Sequence, residues 1–424
     1  MTTTYLFGRQ RATPEDPNFP AMLAKAHADK TRPLCACRQP GIAMYVAKLG
    51  ERHLIKRMPS SGADHHPDCH SFEPPAELSG LGQVAGSAIQ EDVDSGTTTL
   101  KLDFSLSKVG GRTAPVAKGG EADSVRTDGA KLTLRGTLHF LWEESALNRW
   151  TPAMEGKRSW YVVRKALLQA ALQKDAKGTA LDSVLFVPET FSVERKDEIE
   201  RRRLAKLSRV SAPTPTGGAR KLMILIGEVK EISPARYGQK LVVKHLPAMH
   251  FMLDDELHQR LAKRFADELA LWNADETTHL VVVATFGIGP SGFAAIEEIA
   301  LMVTAPNWIP VEHGAEAQLV GQLVREGRRF TKGLRYNLPR TKPLASAVLT
   351  DTAPKPVALY VMPLGASDDF RDAMGDLIDA SDFPPWLWKP ESEPLLPLPA
   401  LKDYEAMQIM LGAADPDASE EADE

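Results

Sequence analysis

The sequence predicts a mixed α/β (α+β) protein of several domains, on three observations. The chain has 424 residues, more than one hydrophobic core organises. All three of its cysteines lie among histidines in one short N-terminal segment. Its second half alternates strand-like apolar runs with stretches of helical period.

Composition is that of a globular protein, with 43% apolar and 25% charged residues. A net charge of −5 supplies no global positive field for nucleic acid, so any such contact must come from local patches. The start, MTTTYLFGRQR, has no apolar signal-peptide core. The longest apolar runs, such as Leu280–Ala284, fall far short of the roughly 20 residues of a membrane span. These features predict a soluble cytoplasmic protein without membrane contact.

A clustered, odd number of cysteines does not read as a secreted disulfide framework. It reads as metal ligation. Cys35-Ala-Cys37 precedes two strand-like runs, Met44–Leu49 and Arg52–Met58, which flank Gly50-Glu51, a natural hairpin turn. The segment closes on His65-His-Pro-Asp-Cys69-His70. Folding the hairpin returns the second cluster beside the first, the logic of a zinc-ribbon-like module. Zinc is satisfied by four nitrogen and sulfur ligands in a tetrahedron. Cys35, Cys37 and Cys69 supply three; His65 or His66 supplies the fourth, since either spacing reaches one metal. With enough ligands to close the shell, a structural zinc is expected rather than a catalytic one. A unit of roughly 40 residues also needs such a staple, because its apolar core is small. His53 falls on a hairpin strand and reads as a strand-face residue; His70 is a further option.

The residues Leu34-Cys-Ala-Cys37, Met44-Tyr-Val46, Lys56-Arg-Met-Pro59, Gly62, His65-His-Pro-Asp-Cys69 and Glu73-Pro-Pro75 resemble the bacterial DUF1173 family, whose hallmark is three N-terminal cysteines. Phe330-Thr-Lys-Gly-Leu-Arg-Tyr-Asn337 and Val348-Leu-Thr-Asp-Thr352 extend the resemblance to about Pro399. It implies a setting in mobile genetic elements and favours His65 over His66, and it brings no established biochemical role.

Beyond the metal segment, a helix is expected over Ala21–Asp29. Alternation predicts strands over Thr98–Leu106 and Lys131–Arg135, joined by a Gly-rich connection, Gly110–Gly129. Helical period begins at Leu138 and is broken by Pro152. A second helix starts near Ser159 with Tyr161, Val162, Ala166 and Leu167 apolar, and a short strand spans Leu181–Phe186. Together these are winged-helix-like. Ser211–Gly218 has linker composition. After it come strands at Leu222–Ile232, Gln239–Leu246, His279–Phe286, Ala345–Thr350 and Pro356–Met362. Helices are expected at Asp255–Trp272, Phe293–Val303, Ala315–Arg328 and Asp368–Asp379. The expected units are a zinc module (1–78), a strand pair with helices (98–210), an α/β domain (220–400), and a short helix with a disordered acidic tail (401–424).

Gly287-Ile-Gly-Pro-Ser-Gly292, with Glu312 twenty residues later, matches the dinucleotide fingerprint on paper. Pro290 removes an amide from a loop that should present amides to phosphate, so a tight strand-to-helix turn is expected and no nucleotide cofactor. Asp351, ending a strand, is the one candidate ligand for a degenerate PD-(D/E)xK nuclease metal. Arg328, Arg329, Lys332 and Arg335, interleaved with Phe330 and Tyr336, could track phosphates. So could Arg195–Arg209, whose acids at 194, 197, 198 and 200 equally suit a helix laced with ion pairs. The leading expectation is a non-enzymatic, zinc-stabilised protein that binds nucleic acid or a nucleoprotein partner. The alternatives are a metal-dependent nuclease and a protein-interaction scaffold.

Overall fold

The computed structural model describes residues 3–109, 129–211, 218–289 and 292–402. Most of the Gly110–Gly129 connection, the interior of the Ser211–Gly218 segment, Pro290, Ser291 and the acidic tail lie outside those residues. The architecture is mixed α and β, with strands grouped in several sheets.

The N-terminal sheet grows from the hairpin that Gly50-Glu51 marks. Strands β4 (Ile42–Leu49) and β5 (Arg52–Arg57) pair antiparallel from Leu49↔Arg52 to Met44↔Arg57. Gly50 takes φ +58, which a two-residue turn needs. Two strands not foreseen, β1 (Tyr5–Phe7) and β2 (Gln10–Ala12), join β3 (Leu34–Cys35) to complete the order β2-β1-β3-β4-β5. Helix α1 (Phe19–Ala28) covers one face, packing Phe19, Leu23 and Ala26 on Tyr5, Cys35, Met44 and Val46. Tyr45 and Ala47, on the other face, are buried too. A β-carbon on Gly96 would lie 2.6 Å from that of Ala47, so the body of the protein approaches the sheet to glycine distance there.

The body is centred on a seven-stranded sheet. Its longest ladders join Met223–Pro234, His279–Ile288 and Ala294–Thr304, all antiparallel. Apolar residues on both faces of these strands are buried, which explains their unbroken Val/Ile/Leu runs. One continuous core runs from Val84 to Trp388 and takes in the helices Leu134–Glu144, Trp160–Ala170 and Gly314–Arg325. Strand Leu185–Phe186 joins the large sheet beside Ile224 and Leu225. Arg149–Trp150 joins a second sheet through Phe330 and Thr331.

Several expectations are corrected. Phe293–Val303 is not a helix but the strand Ala294–Thr304. Its apolar residues at threes and fours imitate a helix, and pairing with His279–Ile288 decides the matter. The strand His279–Ile288, which holds Gly287, is therefore followed by a strand and not by a helix, and Glu312 is held by Arg335. Lys131–Arg135 is not a strand. The Thr133 hydroxyl accepts from the Gly136 amide, so this segment starts the helix Leu134–Glu144. Thr98–Leu106 is a strand only over Thr98–Leu100. Tyr161 and Val162 face solvent, while the second helix buries the expected Leu167 together with Trp160 and Val163. Leu181–Val184 forms one helical turn before the two-residue strand. The hairpin after the helix pair sets Lys174–Ala176 parallel to Thr98–Leu100.

Buried charge crosses the body in matched pairs. Arg328 grips Asp351 through two bonds of 2.9 and 3.1 Å, with both side chains about 3% exposed. The Arg329 amide bonds the same carboxylate. Breaking such a pair strands the other charge, and Asp351→Asn is expected to cost about 3–5 kcal/mol in urea unfolding. A loss under 1 kcal/mol would show that the pair contributes little.

Candidate metal centre

The four residues Cys35, Cys37, His65 and Cys69 come together at one end of the N-terminal sheet, their ligand atoms all within 4.8 Å of one another. Cys35 ends β3, where it pairs with Tyr5 of β1 and Ile42 of β4, and its side chain is fully buried. Cys37 follows in the next turn. His65 and Cys69 come from the irregular segment after β5, and a 3-10 turn over Gly62–Asp64 delivers them. His65 is buried and turns Nδ1 toward the thiols.

The separations form the edges of a small tetrahedron. Cys35 Sγ to Cys69 Sγ is 3.6 Å, Cys37 Sγ to His65 Nδ1 is 3.3 Å, and Cys69 Sγ to His65 Nδ1 is 3.7 Å. Metal–sulfur bonds of about 2.3 Å and metal–nitrogen bonds of about 2.0 Å imply tetrahedral edges of roughly 3.5–3.8 Å. The set thus fits one four-coordinate ion. Two backbone amides point at sulfur, His66 to Cys37 at 3.5 Å and Ser71 to Cys69 at 3.4 Å, as they would toward thiolates. His65 Nε2 is buried without a hydrogen-bond partner among the described residues. With Nδ1 ligating, Nε2 carries the proton.

Without a cation the thiols compete for protons. Hydrogen bonding to Cys69, then burial, pushes Cys35 up; burial pushes Cys37 up; hydrogen bonds from Cys35 and His65 pull Cys69 down. One site ionises at its neighbours' expense. A divalent cation relieves that conflict.

His66 is excluded as the fourth ligand by its surroundings. Its side chain is 41% exposed, and its Nδ1 accepts from the Asp68 amide at 3.2 Å. Asp68 was not singled out by the sequence, yet it fastens this turn to the body. Lys402 reaches both its oxygens, at 2.6 and 2.7 Å, and Arg329 one at 3.0 Å. Glu73 likewise ties the segment to Arg57 and Arg149, and Arg149 also bonds the His70 carbonyl at 2.8 Å. The only local signal for Asp68 was its place between two ligands.

The remaining predicted site residues are placed differently. Arg328, Lys332 and Arg335 are buried and neutralised, by Asp351, Glu316 and Glu312 respectively. They do not form the exposed phosphate-tracking stripe expected of them, because their acids sit on elements brought in by the fold. Arg329 faces Asp68. Asp351 has both oxygens engaged by Arg328, and no second acid joins it in a metal-ligand group among the described residues. On the exposed helix Lys196–Ser211, Arg202 is held by Glu189 and Glu198, and Arg203 by Glu200. Ion-pair lacing describes it better than a phosphate track.

Purified protein is expected to carry about one metal ion per chain. Cys69→Ser should lose the ion and lower the melting temperature, whereas His66→Ala should keep both. Equal metal content in the two variants would refute the assignment of ligands.

A search of curated proteins finds no match, and a search of solved structures finds none. One family profile, described as a protein of unknown function, matches the chain from Tyr5 to Glu391, which spans the metal centre and nearly all of the described body. The chain belongs to the DUF1173 family.

Proposed function

We propose that the chain is a zinc-stabilised, non-enzymatic protein that binds nucleic acid, free or within a nucleoprotein complex, through its N-terminal module. Zinc is the ion favoured by the donor set: three thiolates and one imidazole suit a borderline-soft tetrahedral cation and leave no open position for substrate. Bound there, zinc supplies a rigid, redox-inert cross-link between β3 and the loop that follows β5, in the manner of a zinc-ribbon-like module. The protein's own residues hold that loop against the body through Asp68 and Glu73.

One observation carries the binding half of the reading: the metal module has a basic excess on an acidic chain, with exposed cations among it. The first 75 residues hold ten Lys and Arg against seven Asp and Glu, a local excess of three on a chain of net charge −5. Arg9, Arg11, Lys30 and Arg32 are exposed and make no ion pair among the described residues. Register places Arg11 level with Leu6 and Leu34, on the sheet face opposite Tyr5, Ala12 and Cys35. That face is covered at Tyr45 and Ala47 and open at the β2 edge. Exposed guanidinium groups on a metal-stiffened sheet suit phosphate contact. A setting in mobile genetic elements, which the family resemblance implies, would suit such a role.

The test is fluorescence anisotropy with labelled duplex DNA, single-stranded DNA and RNA across a salt series. Binding is expected to weaken as salt rises, with log K falling by about 0.9 per neutralised phosphate for each tenfold increase in salt on duplex DNA. The triple variant Arg9→Ala/Arg11→Ala/Arg32→Ala should flatten that slope. Absence of binding to every probe at low salt, or an unchanged slope in the triple variant, overturns the proposal.

A further inference from the structure

A cavity of about 420 Å³ opens in the body, away from the metal centre, between helix Leu134–Glu144, strand Ala294–Thr304, the start of helix Gly314–Arg325 and residues 332–346. Its lining combines apolar residues, among them Leu334, Phe370 and Met374, with many charged ones. Its acids are already engaged. Glu316 is paired with Lys332, Glu312 with Arg335, and Glu268 with Arg340. Arg135 has no such partner. Its guanidinium donates to the backbone carbonyls of Tyr336 and Leu338, at 3.1 and 2.9 Å, and forms no ion pair with a carboxylate among the described residues. Burial pulls it down to about 10, and nearby Glu312 offsets only part of that.

Three further donors belong to residues that line the same cavity. His139 is 5% exposed and lines the cavity. Its Nδ1 accepts the Tyr336 amide at 2.9 Å, so the neutral ring carries its proton on Nε2, which has no partner among the described residues. Burial, reinforced by Arg135, holds this imidazole down at about 3, so it stays a neutral donor. Helix Gly314–Arg325 begins on the same wall. His313 and Glu316 cap it, with His313 accepting the Glu316 amide and Glu316 accepting the Glu312 amide. That leaves the amides of Gly314 and Ala315, both on the cavity wall, without acceptors among the described residues. First-turn amides carry the positive end of the helix dipole.

We infer that this cavity is a binding site for a small molecule with an oxyanion head group, held by Arg135, His139 and the Gly314 and Ala315 amides, and an apolar body lying against Leu334, Phe370 and Met374. The head group supplies the negative charge that Arg135 lacks and the acceptors that the three neutral donors lack. A cavity of this size holds an organic anion as well as its head group. A carboxylate and a phosphate monoester present the same chemistry to these donors.

The probes are benzoate, phenyl phosphate and inorganic phosphate, with phenol as the uncharged control, followed by calorimetry and melting temperature on the full chain. Benzoate or phenyl phosphate, but not phenol, is expected to bind and raise the melting temperature, and their ratio distinguishes carboxylate from phosphate. Gly314→Pro removes one donor at a position where proline suits the helix start, and a side chain there meets nothing within 4 Å. It should preserve the fold and weaken binding roughly tenfold, as should Arg135→Gln. Lys165→Ala, an exposed residue outside the cavity lining, should bind as the parent does. If no anion binds at millimolar concentration, or binding survives both cavity variants, or Lys165→Ala abolishes it, the site is not where the geometry puts it.

Discussion

Three cysteine sulfurs and an imidazole nitrogen confined to one small tetrahedron are unstable as a set without a cation. Ionising one thiol raises the cost of ionising the next, and burial of Cys35 removes the water that would screen them. The N-terminal sheet is arranged around this constraint. β3 delivers Cys35 from the centre of a five-stranded sheet, and the loop after β5 returns His65 and Cys69 to it. Proton competition within the cluster becomes an attraction once a divalent ion sits inside it. An ion bound there would join two segments some thirty residues apart and reinforce a module whose apolar core is small.

From that loop, charge pairing spreads into the body. Asp68, between the ligands His65 and Cys69, is held by Lys402 and Arg329, and the Arg329 amide in turn contacts Asp351, the partner of Arg328. Lys332–Glu316 and Arg335–Glu312 extend the series toward the cavity. Buried pairs of this kind add little net stability compared with apolar packing, but they penalise any arrangement that separates them. Their effect is to fix the register between metal loop, second sheet and cavity wall. The basic stretch Arg328–Arg335 is therefore internal wiring.

Much of the candidate site was legible in the sequence, and for a local reason. Cys35, Cys37 and Cys69 are the only cysteines, their spacing brackets a marked hairpin turn, and ligand chemistry is set by residue type. Helix Asp368–Asp379 and strands such as Val357–Val361 were legible too, from period and capping. The failures share a different cause. Ala294–Thr304 carries apolar residues that satisfy either period, and only its ladder with His279–Ile288 selects the strand. Lys131–Arg135 alternates like a strand until Thr133 caps a helix across it. β1 and β2, three residues each, are too short to leave a pattern.

By itself the sequence determined the metal-ligand types, the hairpin that gathers them and the mixed α/β class, because each depends on neighbours within a few tens of residues. Only the tertiary structure decided that His65 rather than His66 faces the thiols, since the two differ in burial and not in spacing. It alone decided which charges are paired, because Arg328 meets Asp351 and Arg335 meets Glu312 across more than twenty residues, while Arg135 donates to backbone carbonyls and forms no ion pair among the described residues. Whether an arginine is a binding group or a buried strut depends on what the fold sets opposite it.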